Sequence, residues 1–288
     1  MRNVSVLSFF IYLLSLLPFR VLYVLSDLGY VLLYHIIRYR KAVVFNNLKN
    51  AFPEKSKQER RQIARKFYRF LPDLLVEAIK MRSISTSDVE KRMLMCQTEE
   101  LERHFRAGKG IIAVTAHYGN WELGIHRISL FTEHPALIIY KPLHNKAFDT
   151  VYNGIRSRFG AIMVPMKLTL RKIIAYRHQP HISVFVADQT PGRRETNYFL
   201  SFLNQDTAVY TGAEKIAKAT GFPVVFCHID RVKRGHYRCT FTTLVEEPAA
   251  MPEHRITDIH NKYTEDIIRR KPELWLWSHR RWKRKATS

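Results

Sequence analysis

The sequence predicts an α/β fold in which a mixed, mainly parallel β-sheet is flanked by helices. From about residue 110 onward, short runs rich in Val and Ile alternate with longer segments of helical pattern. Strands that alternate with helical segments are typical of parallel sheets. The expected strands are GIIAVTAH, PALIIYKP, GAIMVP, HISVFVADQ, FPVVFCHIDR and YRCTFTTLV. The last two are joined by VKRGHY, which indicates an antiparallel hairpin at the end of the sheet.

The N-terminal segment, residues 1–40, is strongly apolar and predicts helices that associate with a membrane. Pro18, Arg20 and Asp27 interrupt it, so it lacks the continuous run of about 20 apolar residues that a simple spanning helix needs. No small-residue cleavage site follows Leu17, which favours an uncleaved anchor or an interfacial helix hairpin over a secretory signal. A pair of buried core helices is the alternative, and it explains Arg20 and Asp27 equally well.

Residues 41–288 are expected to form the second unit, with a helical lead-in over residues 41–108. Ser56 precedes Glu59 by three positions, which predicts a capping box at a helix start. Pro72 predicts a kink or a restart of that helix.

The charge balance points to an anionic partner. Lys and Arg number 47 against 25 Asp and Glu, a formal net charge of +22, which suits nucleic acid, an acidic lipid surface or a phosphorylated substrate or carrier. Basic residues just after the apolar segment favour a cytoplasmic location for the rest of the chain. The basic C-terminal segment, residues 269–288, is rich in Trp and Arg and predicts either a solvated tail or an interfacial element.

Neither a disulfide framework nor a metal site is predicted. The three cysteines are scattered, and the segment CHIDRVKRGHYRC matches no usual zinc spacing. We expect no cofactor.

The segment TAHYGNWELG contains the candidate catalytic residues. His117 ends a buried strand, at the edge of the sheet where open α/β folds bind ligands. Glu122 falls in the first turn of the next helix and is expected to reach back to the imidazole, which makes the pair a general base. A buried structural histidine bonded to a nearby Glu is the alternative. Because no GxSxG, HExxH, GxxxxGK[ST] or GxGxxG motif is present, such a pair suits direct attack by a substrate hydroxyl on an activated acyl group.

The same segment resembles the HX4(D/E) motif of the glycerolipid acyltransferase superfamily. In detail it is similar to the late lipid A acyltransferase branch, the lauroyl and myristoyl transferases. Five further blocks resemble that branch in the same order: YRKAVVFNNLKNAFPEKSKQERRQIARKFYRF, YKPLHNKAFD, IRSRFGA, VFVADQTPGRRE and AVYTGAEKIAKATGFPVVF. Five ordered blocks are far more specific than one HX4E match.

The resemblance implies a glycerolipid acyltransferase-like fold and the transfer of a fatty acyl chain to a hydroxyl of a lipid A precursor. The donor would be a thioester carrier, either acyl-ACP or acyl-CoA. The location would be the bacterial inner membrane, with the catalytic domain on its cytoplasmic side. In this scheme His117 deprotonates the acceptor hydroxyl and Glu122 orients His117.

The resemblance and the residue types together give further candidate site residues. Arg158 is expected to stabilise the oxyanion, with Asp188 positioning it. Asn120 is either a helix cap or a donor in the site. Three basic residues on loops after strands are candidates for holding phosphates of the acceptor or carrier, namely Lys141, Arg193 and Arg194.

Two alternatives stay open at this point. The segment ADQTPGRR stands where glycerol-phosphate acyltransferases often have a Pro-Glu-Gly-Thr motif, so another membrane lipid, a phospholipid, aminolipid or glycolipid, is an alternative acceptor. A non-catalytic basic protein that binds membranes or nucleic acid is the alternative from another class. Nucleic acid is the less favoured partner, because no nucleic-acid-binding motif is present and such a protein has no use for an apolar N-terminus.

Overall fold

The computed structural model describes residues 2–284. Its helices are α1 (Arg2–Leu16), α2 (Phe19–Tyr30), α3 (Lys41–Ala51), α4 (Lys57–Lys80), α5 (Thr86–Arg92), α6 (Glu99–Arg106), α7 (Trp121–Phe131), α8 (Lys146–Arg156), α9 (Thr169–Ala175), α10 (Gly212–Thr220) and α11 (Arg255–Arg270). Its strands are β1 (Met93–Cys96), β2 (Ile111–Thr115), β3 (Ala136–Tyr140), β4 (Ile162–Pro165), β5 (Ile182–Val186), β6 (Phe199–Phe202), β7 (Gln205–Ala208), β8 (Val224–Lys233) and β9 (His236–Val245).

The predicted α/β class is confirmed. Within residues 2–284 the main sheet has 7 strands in the order β1-β9-β8-β2-β5-β3-β4. Its neighbouring strands are parallel except for the β8–β9 pair, which is the expected hairpin. β2 lies in the middle and all five of its residues are buried, because helices cover both faces of a parallel sheet. β6 and β7 form a separate two-stranded hairpin that the sequence pattern did not predict.

The N-terminal helices expose apolar side chains. The continuous helix Phe19–Ile36, whose last part is a π-helical stretch (Val31–Ile36), has 18 residues, a mean hydropathy of 1.3 and only 17% of its residues buried. By length and composition it can cross a membrane. A pair of fully buried core helices, the alternative considered above, does not fit residues such as Leu28, which is 62% exposed.

Helix α4 joins these helices to the sheet. The predicted capping box is present: the Ser56 hydroxyl accepts from the Glu59 N–H, and the Glu59 carboxylate accepts from the Ser56 N–H. The expected restart at Pro72 is wrong, because α4 is one helix through this position. Pro72 is buried against α2, where a Cβ on Gly29 would lie 3.3 Å from the Pro72 Cβ. A glycine on α2 therefore allows the two helices to approach closely.

The C-terminal segment differs from both expectations. Trp275, Trp277 and Arg281 are almost fully buried, so this part of the segment is neither a solvated tail nor an interfacial element. Trp275 forms a short bridge with Tyr118, beside His117. The segment is therefore packed into the protein next to the motif identified above. Its last four residues, 285–288, lie outside the described residues.

Candidate active site

His117 is held by the ends of two adjacent parallel strands. In the register of β2 with β5, Thr115 is paired with Val186, so two more residues along each chain place His117 opposite Asp188. The His117 Nδ1 atom lies 2.7 Å from Asp188 Oδ1, and the His117 backbone N–H donates to the same oxygen at 3.0 Å. The sheet register itself therefore builds a His–Asp pair at the carboxyl edge.

Asp188 is a buried carboxylate with a full set of donors. Its second oxygen, Oδ2, accepts a hydrogen bond of 2.7 Å from the Trp275 indole N–H. Burial alone would raise the pKa of Asp188, but the His117 side chain and backbone and the Trp275 N–H outweigh it and lower that pKa to about 2. Asp188 is therefore an anion at neutral pH. It favours the imidazole tautomer that carries its proton on Nδ1.

The other imidazole nitrogen faces a cavity. His117 Nε2 lies 3.1 Å from the Gln189 side-chain nitrogen, and both residues line a cavity of about 610 Å³. With Nδ1 protonated, Nε2 is an acceptor, and the Gln189 amide donates to it. The Trp121 ring lies edge-on to the imidazole, with 4.9 Å between ring centroids. The basic nitrogen of His117 is thus the one that a bound molecule can reach.

Glu122 does not contact His117, which corrects the expected dyad. Its carboxylate makes a two-fold hydrogen-bonded ion pair with Arg156, at 2.8 Å to Nε and 2.5 Å to Nη2, and accepts from the Trp121 indole at 2.7 Å. Burial acts to raise the pKa of Glu122, but the Arg156 charge and these hydrogen bonds lower it overall. Glu122 lies in the first turn of α7, and Arg156 is the last residue of α8. Trp121 is the link between the two pairs.

Arg158 is not in the cavity, which corrects the expected oxyanion residue and its expected pairing with Asp188. Its guanidinium donates to the backbone carbonyls of Met81 and Ile84. Arg158 lies beyond the end of α8, in the short helical turn Ser157–Phe159, and so points away from the cavity. Arg156, two residues earlier, is the arginine that lines it.

Asn120 is a helix cap. Its side-chain oxygen accepts from the Leu123 N–H at 2.8 Å, and its side-chain nitrogen donates to the Glu77 carboxylate at 2.6 Å. Both ends of the amide are therefore engaged within the protein. Glu77, on α4, also accepts from Tyr23 of α2 and from Tyr237 of β9. Burial raises the pKa of Glu77, although these three hydrogen bonds act to lower it.

The turn between His117 and α7 requires a glycine. Gly119 has a φ of +63°, and a Cβ at this position would lie 2.3 Å from the Ile229 carbonyl oxygen. The backbone on either side is fixed by the C-terminal segment: the Gly119 N–H donates to the Leu274 carbonyl and the Leu276 N–H donates to the His117 carbonyl, both at 3.1 Å. The turn that presents His117 is thus held from both flanks.

The cavity is mainly apolar. It opens between the carboxyl ends of β3 and β5 and helices α7, α8 and α10, and its apolar walls include Ile125, Ile138, Phe185, Met166 and Ile216. Lys141, one of the expected phosphate ligands, is exposed at its rim. Arg193 is exposed and does not line the cavity, and the side chain of Arg194 lies outside the described part of the structure.

Sequence reasoning missed several residues that shape the site. The sequence block IRSRFGA contains both Arg156 and Arg158, and only Arg156, the last residue of α8, lines the cavity. The composition around Trp275 predicts a solvated tail or an interfacial element, although a large aromatic side chain such as Trp is also often buried. Gln189 directly follows Asp188, so its position at the same strand end is a signal that the sequence does carry. Glu77 had no local signal, because its partners come from three distant parts of the chain.

The fold and the site define an α/β enzyme with a His–Asp pair at the mouth of an apolar cavity. Comparison with known proteins identifies its family. The family model described as bacterial lipid A biosynthesis acyltransferase matches residues 3–284, and the chain belongs to this family. It is therefore an O-acyltransferase, and the resemblance seen in the sequence is confirmed.

Individual relatives carry consistent names. The chain is 25% identical over 249 residues to the lipid A biosynthesis palmitoleoyltransferase of Escherichia coli K12, covering 86% of this chain and 80% of that protein. It is 25% identical over 292 residues to the lipid A biosynthesis lauroyltransferase of the same organism, covering 95% and 89%. A lipid A biosynthesis acyltransferase of Haemophilus influenzae is 25% identical over 246 residues, covering 85% and 78%.

Proposed function

We propose that this protein transfers a fatty acyl chain from a thioester donor, acyl-ACP or acyl-CoA, to a hydroxyl of a lipid A precursor. His117 acts as the general base. The observation that supports this most strongly is the orientation of the imidazole: Nδ1 is bound by a buried carboxylate, and Nε2 is directed into an apolar cavity. The names of the relatives support the acceptor.

The proposed reaction needs one proton carrier. The acceptor hydroxyl takes the place of the Gln189 amide at His117 Nε2 and gives its proton to that nitrogen. The hydroxyl oxygen then attacks the thioester carbonyl carbon and forms a tetrahedral intermediate. When the intermediate collapses, the C–S bond breaks and the leaving thiolate takes the proton from Nε2. Asp188 stays ionised throughout and stabilises the imidazolium that forms between the two steps.

The Glu122–Arg156 pair has a positioning role in this scheme. Glu122 holds the Trp121 indole, whose ring packs edge-on against His117. Arg156 also lines the cavity, so its positive charge lies on the side where the oxyanion develops. The second residue of the HX4E motif, Glu122, thus positions the base through Trp121 and also holds Arg156 in place.

The cavity is the proposed site of the acyl chain. A volume of about 610 Å³ and walls formed largely by aliphatic and aromatic side chains suit a fatty acyl group. Exposed Lys141 at its rim suits the anionic phosphopantetheine or nucleotide part of either donor.

Residues 1–40 are proposed to anchor the catalytic unit, residues 41–288, to the cytoplasmic side of the bacterial inner membrane. The exposed apolar side chains of α1 and α2 support this arrangement. Arg38, Arg40 and Lys41 follow directly and would lie among anionic headgroups. An acceptor held in the bilayer can then approach the site without leaving the membrane.

The proposal is tested by mass spectrometry of total lipids from cells that lack the protein and from cells in which it is restored. The unmodified protein should restore one acyl chain on lipid A, and His117→Ala should not. His178→Ala, which removes an exposed histidine, is the matched control and should restore the chain fully. A change confined to phospholipids would identify the alternative acceptor. Full restoration by His117→Ala would contradict the proposed base.

A further inference from the structure

A second cleft, distinct from the cavity, lies between α2, α4 and the end of the β8–β9 hairpin. Its volume is about 370 Å³. Five basic side chains line it, namely Lys66, Arg69, Arg231, Arg234 and Lys271. Three carboxylates, Asp27, Asp73 and Glu273, stand against them, so the lining carries an excess of positive charge.

Most of these cations already have acidic partners. Arg234 is paired with Asp73 and with Asp27, both at 2.7 Å, and Arg231 is paired with Asp73 at 3.0 Å. Asp73 is buried, so these ion pairs form the floor of the cleft. Lys271 is paired with Asp230, at 2.6 Å. These three cations are therefore structural.

Lys66 and Arg69 are different. Lys66 is 65% exposed and reaches Glu273 only at 3.9 Å. Arg69 is exposed and has no ion-pair partner within residues 2–284; its guanidinium lies 5.3 Å from the centroid of the Tyr30 ring. Residues three apart on a helix lie on neighbouring positions of one face, so the two cations can grip one anion together. An arginine that is free to present its planar fork binds phosphate oxygens well.

The cleft lies beside the candidate active site. β2 and β8 are parallel, so the end of β2, which leads to His117, and the end of β8, which carries Arg231, lie at the same edge of the sheet. Leu274 lines the cleft and Leu276 lines the cavity, and the chain between them is extended at Trp275. Two extended residues span about 7 Å, so the two sites are close neighbours.

The cleft also lies beside the apolar surface of α2. Asp27 of α2 is part of its lining, and Val24 and Leu28 on the same helix are exposed. A molecule with apolar chains and an anionic group could therefore place the chains along α2 and the anion in the cleft.

We propose that this cleft binds the phosphate group of a lipid, with Lys66 and Arg69 as its direct ligands. The inference rests on the proposed function in one respect: a phosphorylated acceptor bound there would hold its hydroxyl near His117. The phosphate of a bilayer phospholipid offers the same chemistry, and binding it would instead orient the enzyme on the membrane.

The test compares two charge-matched double variants of the full-length protein. Lys66→Ala with Arg69→Ala removes the proposed ligands. Lys57→Ala with Arg61→Ala removes one lysine and one arginine from an exposed part of the same helix. Acyl transfer is measured at a saturating concentration of donor, with the lipid A precursor as acceptor before and after phosphatase treatment. Flotation with vesicles of phosphatidylglycerol, or of a phosphate-free glycolipid, measures membrane binding independently of turnover.

If the acceptor supplies the phosphate, the first variant raises the KM for the phosphorylated acceptor by roughly tenfold or more, leaves kcat unchanged and has no effect on the KM for the dephosphorylated acceptor. If the bilayer supplies it, the KM is unchanged and flotation with phosphatidylglycerol falls while flotation with the glycolipid does not. The control variant should do neither. Equal behaviour of the two double variants in both assays would overturn the proposal. Failure of the unmodified protein to acylate the precursor would count against the proposed function, and the flotation assay would still decide on the cleft.

Discussion

Two hydrogen-bonded acid–base pairs flank Trp121, and they differ in what they can do. His117–Asp188 contains an imidazole that is partly open to the cavity and keeps one nitrogen free of ionic partners. In the Glu122–Arg156 pair, the two charged groups are bound to each other by two hydrogen bonds. An arginine does not release its proton in proteins, so this second pair cannot carry a proton in a reaction. The two residues of the HX4E motif therefore belong to different pairs, one suited to proton transfer and one to positioning.

The largest expected effect comes from Asp188, the acid that orients the proposed base. Asp188→Asn leaves a side chain of the same shape, but the amide no longer favours the Nδ1–H tautomer. We expect kcat for acyl transfer to fall by roughly 10²–10⁴-fold with little change in the KM for the donor. The matched control is Asp206→Asn, an exposed aspartate on β7. A kcat like that of the control would show that Asp188 does not act on the base.

The second prediction concerns the Glu122–Arg156 pair. Glu122→Gln and Arg156→Met should each lower the free energy of unfolding by about 3–5 kcal/mol, because each leaves a buried charge without its partner. The double variant should be less destabilised than the sum of the two, as measured by denaturant titration.

The exposed pair Glu102–Arg106, at 3.6 Å, provides a control with the same residue types. The corresponding changes there should cost only about 0.3–0.5 kcal/mol. Additive effects at Glu122 and Arg156 would show that the two residues do not stabilise the fold as a pair.

Lowering the pH should have a smaller effect on the free energy of unfolding. The pKa of Asp188 is lowered from 3.8 to about 2 in the folded protein, so its contribution to stability is complete above pH 3.8 and is lost as the pH falls through 2. The contribution is on the order of 2 kcal/mol. The lowered pKa sets a test window of roughly pH 5 to pH 2. Denaturant titrations across this window should show a shallower loss of stability for Asp188→Asn than for the unmodified protein. Parallel curves would contradict the low pKa.

The smallest effect should come from Arg158. Because its guanidinium donates to backbone carbonyls away from the cavity, Arg158→Met should cost about 1 kcal/mol of stability and leave kcat within roughly twofold. A large loss of kcat, with the fold intact by circular dichroism, would return Arg158 to the role that the sequence first suggested.

The fold class was predictable because each strand of the sheet is a short apolar run between helical segments. The position of His117 was predictable for the same reason, since a strand end at a glycine turn places a side chain at the edge of the sheet where open α/β folds bind ligands. The partner of His117 was not. Spacing in the chain favoured Glu122, whereas the register of β2 with β5 brings Asp188 to the imidazole from 71 positions away.

The C-terminal segment shows the same limit of local reasoning. Its composition suggested a tail, but Trp275 is buried and bonded to Asp188. Only the packed structure reveals that this segment completes the site. Likewise, the cleft at Lys66 and Arg69 is assembled from α2, α4, the β8–β9 hairpin and the segment after α11, and no single stretch of sequence signals it.

The central claim is that Asp188, and not Glu122, fixes the proton on His117 Nδ1. Nitrogen-15 NMR of the histidine-labelled protein tests it directly, with the His117 signals identified by their loss in His117→Ala. We predict a protonated Nδ1 and an unprotonated Nε2 in the unmodified protein and in Glu122→Gln, and loss of that tautomer preference in Asp188→Asn. A tautomer that changes in Glu122→Gln and persists in Asp188→Asn would contradict the account.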